Sequence, residues 1–140
     1  VSVRSRIPSL LIAAYVLAVM LVALLSEPVA QDLAYHDFAN DRSRLGIPNF
    51  ADVVSNAVIF AGALWGLCLC VRPSPERFLG QTDHRFAFLF FAALVLTAAG
   101  STWYHLSPDN HRLFWDRLPL SIAFTSLIAW LAAERSQPGN

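Results

Sequence analysis

Residues 86–106 read FAFLFFAALVLTAAGSTWYHL, and the fold is decided by how this stretch is read. It contains no Asp, Glu, Lys or Arg, and Phe, Leu and Ala fill it until Ser101 and His105 appear near its end. An apolar run of about 20 residues is what a helix needs to cross the hydrocarbon core of a bilayer. Three further blocks flank it. The uncharged block from Ile7 to Leu25 follows Arg4 and Arg6, and at 1.5 Å per residue it covers roughly 28 Å. A second block runs from Phe50 to Val71 and ends against Arg72 and Pro73; Gly62 and Gly66 give it a small-xxx-small spacing that admits a neighbouring helix. The last runs from Leu118 to Ala133, with Pro119 expected in its first turn, where a missing N–H costs nothing. The expected fold is all-α: an integral, multi-pass membrane bundle of about four transmembrane helices.

Composition agrees. Of 140 residues, 56% are apolar and 14% charged, too apolar a balance for an ordinary soluble domain. Mean hydropathy is +0.49. Net charge is zero, so no basic face exists for nucleic acid. Cys68 and Cys70 lie two apart and point to different sides of a helix. With no second pair they form neither a disulfide frame nor a zinc ribbon, and two buried structural thiols are expected.

The basic start of the first block is shared with signal peptides, whose apolar region is shorter, about 7–15 residues. Pro28-Val29-Ala30 also lacks a small residue at its first position. An uncleaved anchor over residues 1–30 is expected, followed by a helical membrane domain over residues 31–140. Polar loops are expected from Ser26 to Asn49, Arg72 to Arg85 and Ser107 to Arg117. Arg4, Arg6, Arg72, Arg77, Arg85 and Arg135 fall on one side, and Arg42, Arg44, Arg112 and Arg117 on the other. That small excess favours a cytoplasmic N-terminus.

Alternating spans place the start of the second block, the end of the third and the start of the fourth at one membrane face. Asp52, Ser55, Asn56, Ser101, His105 and Asp116 therefore share a boundary, with His36 and His111; His84 falls on the opposite side. Ser101 and His105 are four apart and stack on one side of a helix. A hydroxyl, an imidazole and a carboxylate converging here suit metal-assisted hydrolysis, in which imidazole binds zinc and a carboxylate takes the proton of the metal-bound water. The alternative is ordinary capping, since Ser, Asn and Asp satisfy free N–H groups at helix ends. A Ser–His–Asp nucleophilic triad would need a nucleophile elbow, which Ser101 lacks. Asp37, Asn40 and Asp41, beside His36, form a second donor cluster, either a calcium loop or a solvated acidic one.

Three ordered segments carry a resemblance. They are Asn49-Phe-Ala-Asp52-Val-Val-Ser55-Asn56, then Gly100-Ser101-Thr-Trp-Tyr-His105, then Trp115-Asp116-Arg117-Leu118-Pro119. Together, over about residues 36 to 133, they resemble the alkaline ceramidase family of membrane-embedded hydrolases. The resemblance implies a seven-helix fold, of which this chain carries the first three helices after an added anchor. It implies a zinc-dependent enzyme that cleaves the amide bond of ceramide. His105 would be a zinc ligand, Asp116 would bind or orient the zinc-bound water, and Ser101 would help form the site or polarise the amide carbonyl. Asp37, Asn40 and Asp41 lie in the region matching the family's calcium loop, although Phe38 stands in place of a Trp and Asn49 in place of a Glu.

The family's other zinc histidines form a His-x-x-x-His pair, and no such pair occurs in this sequence. His36 and His111 are the only substitutes on the same face. The expectation is therefore an N-terminal portion of a longer ceramidase-like hydrolase, prone to self-association. The competing expectations are a small non-enzymatic membrane protein and an ester-cleaving lipid hydrolase of the same superfamily.

Overall fold

The computed structural model describes residues 3–38, 41–72 and 81–136. Among them are four α-helices, a short 3-10 turn and no strand: α1 (Val3–Leu25), η1 (Leu33–His36), α2 (Phe50–Val71), α3 (Gln81–Leu106) and α4 (Asn110–Ser136). The chain divides into two compact units, Val1–Gln31 and Asp32–Asn140.

The first unit holds α1. Its last turn closes where the Ser26 backbone N–H and hydroxyl both donate to the Val22 carbonyl, at 2.9 and 2.6 Å. From Leu11 to Leu25 its described large side chains are exposed.

In the second unit α3 is the middle helix. It packs against α2 on one flank and α4 on the other, and α2 and α4 do not pack together among the described residues. Most buried apolar positions are small: Ala63 on α2, Ala87, Ala93 and Ala98 on α3, Ala123 on α4. Large apolar side chains such as Val58, Trp65, Leu96, Phe124 and Ile128 point outward. Small residues inside let backbones approach closely, which is how helices associate when lipid, rather than water, surrounds them. The buried hydroxyls of Thr97 and Ser126 donate back to Ala93 and Ile122 at 2.8 and 2.7 Å, so neither leaves an unsatisfied group. Two helices, Phe50–Val71 and the 83–106 part of α3, are long and apolar enough to cross a membrane.

α2 keeps its expected bounds. α3 begins earlier than its apolar block because polar residues at its foot find partners: the His84 ring nitrogen Nε2 lies 2.8 Å from the Cys70 carbonyl at the end of α2, and Asp83 is buried. α4 begins earlier still. Asp109 is its N-cap, with its carboxylate accepting the Arg112 N–H at 2.7 Å and its carbonyl the Leu113 N–H at 2.9 Å. The expected loop from Ser107 to Arg117 shrinks accordingly, and Asp116 and Arg117 are helical.

Pro119 is therefore in the interior of α4, not in its first turn. A proline there cannot donate to the carbonyl four residues back, that of Trp115. This carbonyl faces Gly100 of α3, where an added Cβ would collide with the Trp115 oxygen and come within 2.9 Å of its carbonyl carbon. The glycine makes room for the peptide whose usual helical donor the proline removes.

Two further expectations are corrected. Cys68 is exposed and only Cys70 is buried, as their different helix sides require. Of the Gly62–Gly66 pair, only Gly66 is closely approached, by the Phe91 ring; Gly62 opens into free space.

Candidate functional site

The foot of α2, the end of α3 and the start of α4 meet at one end of the second unit. Their antiparallel order brings Asn49 to His105, whose carbonyl accepts the Asn49 side-chain N–H at 2.8 Å. Asn49 adopts the left-handed conformation (φ 47°), which asparagine tolerates better than most residues. The preceding turn has Leu45 and Gly46 at φ 54° and 77°, and Arg44 and Ile47 exchange two backbone hydrogen bonds across it, at 3.1 and 2.9 Å.

The first loop lies over this end. Asp32 caps η1 through its carboxylate, 2.8 Å from the Ala34 N–H. Tyr35 then accepts a hydrogen bond from Arg117 of α4, whose guanidinium stands 6.0 Å from the tyrosine ring centre. His36 Nδ1 lies 2.9 Å from the Tyr104 hydroxyl of α3. Phe38 packs on both Tyr104 and His105, with ring centres 5.6 and 4.7 Å apart. The result is an aromatic cluster of His36, Phe38, Tyr104 and His105. Tyr104 is buried at its centre.

Within the cluster, His105 Nδ1 and His36 Nε2 are buried with no hydrogen-bond partner. Such nitrogens are uncommon, because a buried polar atom without a partner costs about 1–3 kcal/mol. Among the described residues, His105 is thus the one member of the sequence-derived triad whose side chain has a buried polar atom without a partner. Ser101 is half-buried on the same helix, one turn earlier. Asp116 is half-buried and its carboxylate lies 3.4 Å from the Arg117 guanidinium. Its backbone nitrogen abuts Gly100, and its charge is within electrostatic range of the Tyr104 hydroxyl. No hydrogen bond or ion pair joins Ser101, His105 and Asp116 to one another among the described residues.

The supporting residues are engaged locally. Ser55 and Asn56 both donate to the Asp52 carbonyl, at 2.8 and 3.1 Å, so the three form the polar first turns of α2. Asn56 is buried and borders a groove of about 560 Å³ between α2 and α3. Val53, Phe60, Ala98 and Thr102 share that lining, which is almost wholly apolar.

His111 does not join the cluster: it is exposed and meets Trp103 edge-on at 5.8 Å, beside Arg112 over the same ring. His84, at the far end, is tied to Cys70. Of the proposed calcium donors, Asp37 and Asp41 are exposed and Asn40 lies outside the described residues.

A zinc ion needs three protein ligands in a catalytic site. Among the described residues no group of three or more His, Cys, Asp or Glu side chains could hold a metal. The free, buried Nδ1 of His105 fits one ligand position; the set as it stands does not make a zinc centre. Sequence reading passed over Tyr35, Tyr104 and Arg117. Tyr104 stands inside the quoted motif, but the contacts that give it importance come from a loop more than sixty residues away. No protein-family model, curated protein or solved structure matches the chain.

Proposed function

We propose that this chain is part of a ceramidase-like membrane hydrolase, and that it contributes Ser101, His105 and Asp116 to a site for amide lipids. In this reading all four helices lie in the bilayer, with the N-terminus cytoplasmic and the cluster at the opposite boundary. The observation that carries it is the buried, unpartnered Nδ1 of His105 at the end of an apolar helix. A structural histidine in lipid would be expected to have both nitrogens satisfied or exposed. The Ser101 hydroxyl, one turn away, would donate to the amide carbonyl, and Asp116 would hold a water proton once released from Arg117. The neighbouring apolar groove between α2 and α3 suits an acyl chain. One imidazole does not make a zinc centre, so the reading requires further ligands from outside this cluster.

Purified protein in detergent tests it. Zinc content should fall in His105→Ala, and fatty acid should be released from ceramide in preference to an ester lipid of the same chain length. Equal zinc in both proteins would remove His105 from any metal site. Ester cleavage alone would assign a different lipid hydrolase. The second reading, a membrane protein without chemistry, is favoured by the Asp116–Arg117 pairing, which occupies the carboxylate. It predicts neither zinc nor fatty-acid release.

A further inference from the structure

The first loop holds Phe38 directly on the His105 ring, at 4.7 Å between centres. Two hydrogen bonds fasten that loop to two different helices: His36 to Tyr104 of α3, at 2.9 Å, and Tyr35 to Arg117 of α4. Beneath it His105 Nδ1 is out of contact with solvent and without a partner. Closing the loop therefore combines a favourable set of contacts with an unfavourable one. The aromatic contacts and hydrogen bonds favour closure, and each is modest. The stranded nitrogen opposes it, because water or a ligand would satisfy that atom if the loop lifted. Opposing contributions of similar size make a segment that opens readily.

We infer that residues 32–38 are a strap that gates the Nδ1 of His105: Phe38 is the cover, and the His36–Tyr104 and Tyr35–Arg117 hydrogen bonds are the fastenings. The structure holds the closed form. As a regulation of the proposed site this rests on the hydrolase reading, but the gate itself is a property of the loop and can be measured without activity. His36 and Phe38 are positioning residues here. Neither is assigned a place on substrate.

The measurement is double carbethoxylation of the histidines, which needs both ring nitrogens, by excess diethylpyrocarbonate at fixed pH, followed residue by residue by mass spectrometry on the full chain in detergent; every rate is that of the double adduct. Exposed His111 is the internal standard. In the unaltered protein His105 should react well below His111. Tyr104→Phe removes one fastening while keeping the ring against Phe38, and should raise the His105 rate about fivefold, the factor matching a single hydrogen bond of about 1 kcal/mol. Phe38→Ala removes the cover and should raise it further, with His111 unchanged. If His84 and His111 also accelerate in Phe38→Ala, that variant has lost its fold and Tyr104→Phe decides. A His105 rate equal to that of His111, or one unmoved by Tyr104→Phe, overturns the gate. A gated His105 in a protein that neither binds zinc nor releases fatty acid would leave the strap standing and remove the hydrolase.

Discussion

Gly100 lacks a side chain where α4 presents the Trp115 carbonyl, which Pro119 deprives of its usual helical donor. An added methyl would collide with backbone rather than with a movable side chain. Gly100→Ala should therefore destabilise the protein by about 1–3 kcal/mol, the usual cost of overpacking a fitted contact. Gly62→Ala meets nothing, and should be neutral or stabilising by up to about 1 kcal/mol through helix propensity. Thermal unfolding of both variants in the same detergent checks the contrast, and similar midpoints would contradict the packing described. At Asp109 the carboxylate caps α4, and its ion pair with Arg112 at 3.4 Å adds little beyond that cap. Asp109→Ala is expected to cost about 0.5–2 kcal/mol, whereas Asp109→Asn should retain most of the stability, because asparagine caps as well. The histidines show why residue type alone misleads. Four were visible, but only neighbours distinguish a stranded imidazole (His105) from one tied to a carbonyl (His84) or lying on a tryptophan (His111).

At the scale of elements, α4 is the helix the sequence described least well. Its apolar block begins at Leu118, and Pro119 beside it reads as a helix start. The helix instead begins at Asn110, because an aspartate cap and a buried Leu113 supply a first turn without an apolar run. The proline is accommodated by the partner helix. Gly100 and Pro119 should then behave as one unit. Pro119→Ala restores a donor for the Trp115 carbonyl, and so should relieve part of the clash created by Gly100→Ala. A double-mutant cycle is expected to give a coupling above about 0.5 kcal/mol, with the double variant more stable than additivity allows. Strict additivity would mean that the freed carbonyl and the glycine are unrelated. The legible part of this element was its apolar face. The illegible part was its start, which depends on a single cap and on what lies across the helix interface.

For the molecule as a whole, the testable consequence is sidedness. α2 and α3 are joined antiparallel, as the Asn49–His105 hydrogen bond at one end and the His84–Cys70 contact at the other require. In a bilayer, exposed Ser43 and Ser107 should then lie on one side and Arg72 on the other. In protein with Cys68 and Cys70 replaced by Ser, Ser43→Cys and Ser107→Cys should react with an impermeant maleimide from the same face of sealed vesicles. Arg72→Cys should react only from the opposite face. Labelling of all three from one side would exclude the two-span arrangement. The outward large side chains and inward alanines agree with such an arrangement, since lipid gives bulky apolar groups no reason to be buried.

Hydropathy by itself determined that the chain is helical, where α2 lies, and which chemistry-bearing residues share an end of the bundle, because those properties follow from the length and order of apolar blocks. Tertiary structure alone decided which of those residues have a free atom. The seal over His105, the Tyr104 centre of the cluster and the Arg117 hold on Tyr35 all join segments far apart in the chain. Contacts of that kind depend on how helices approach, which in turn depends on a glycine opposite a carbonyl. No periodicity along the sequence records that.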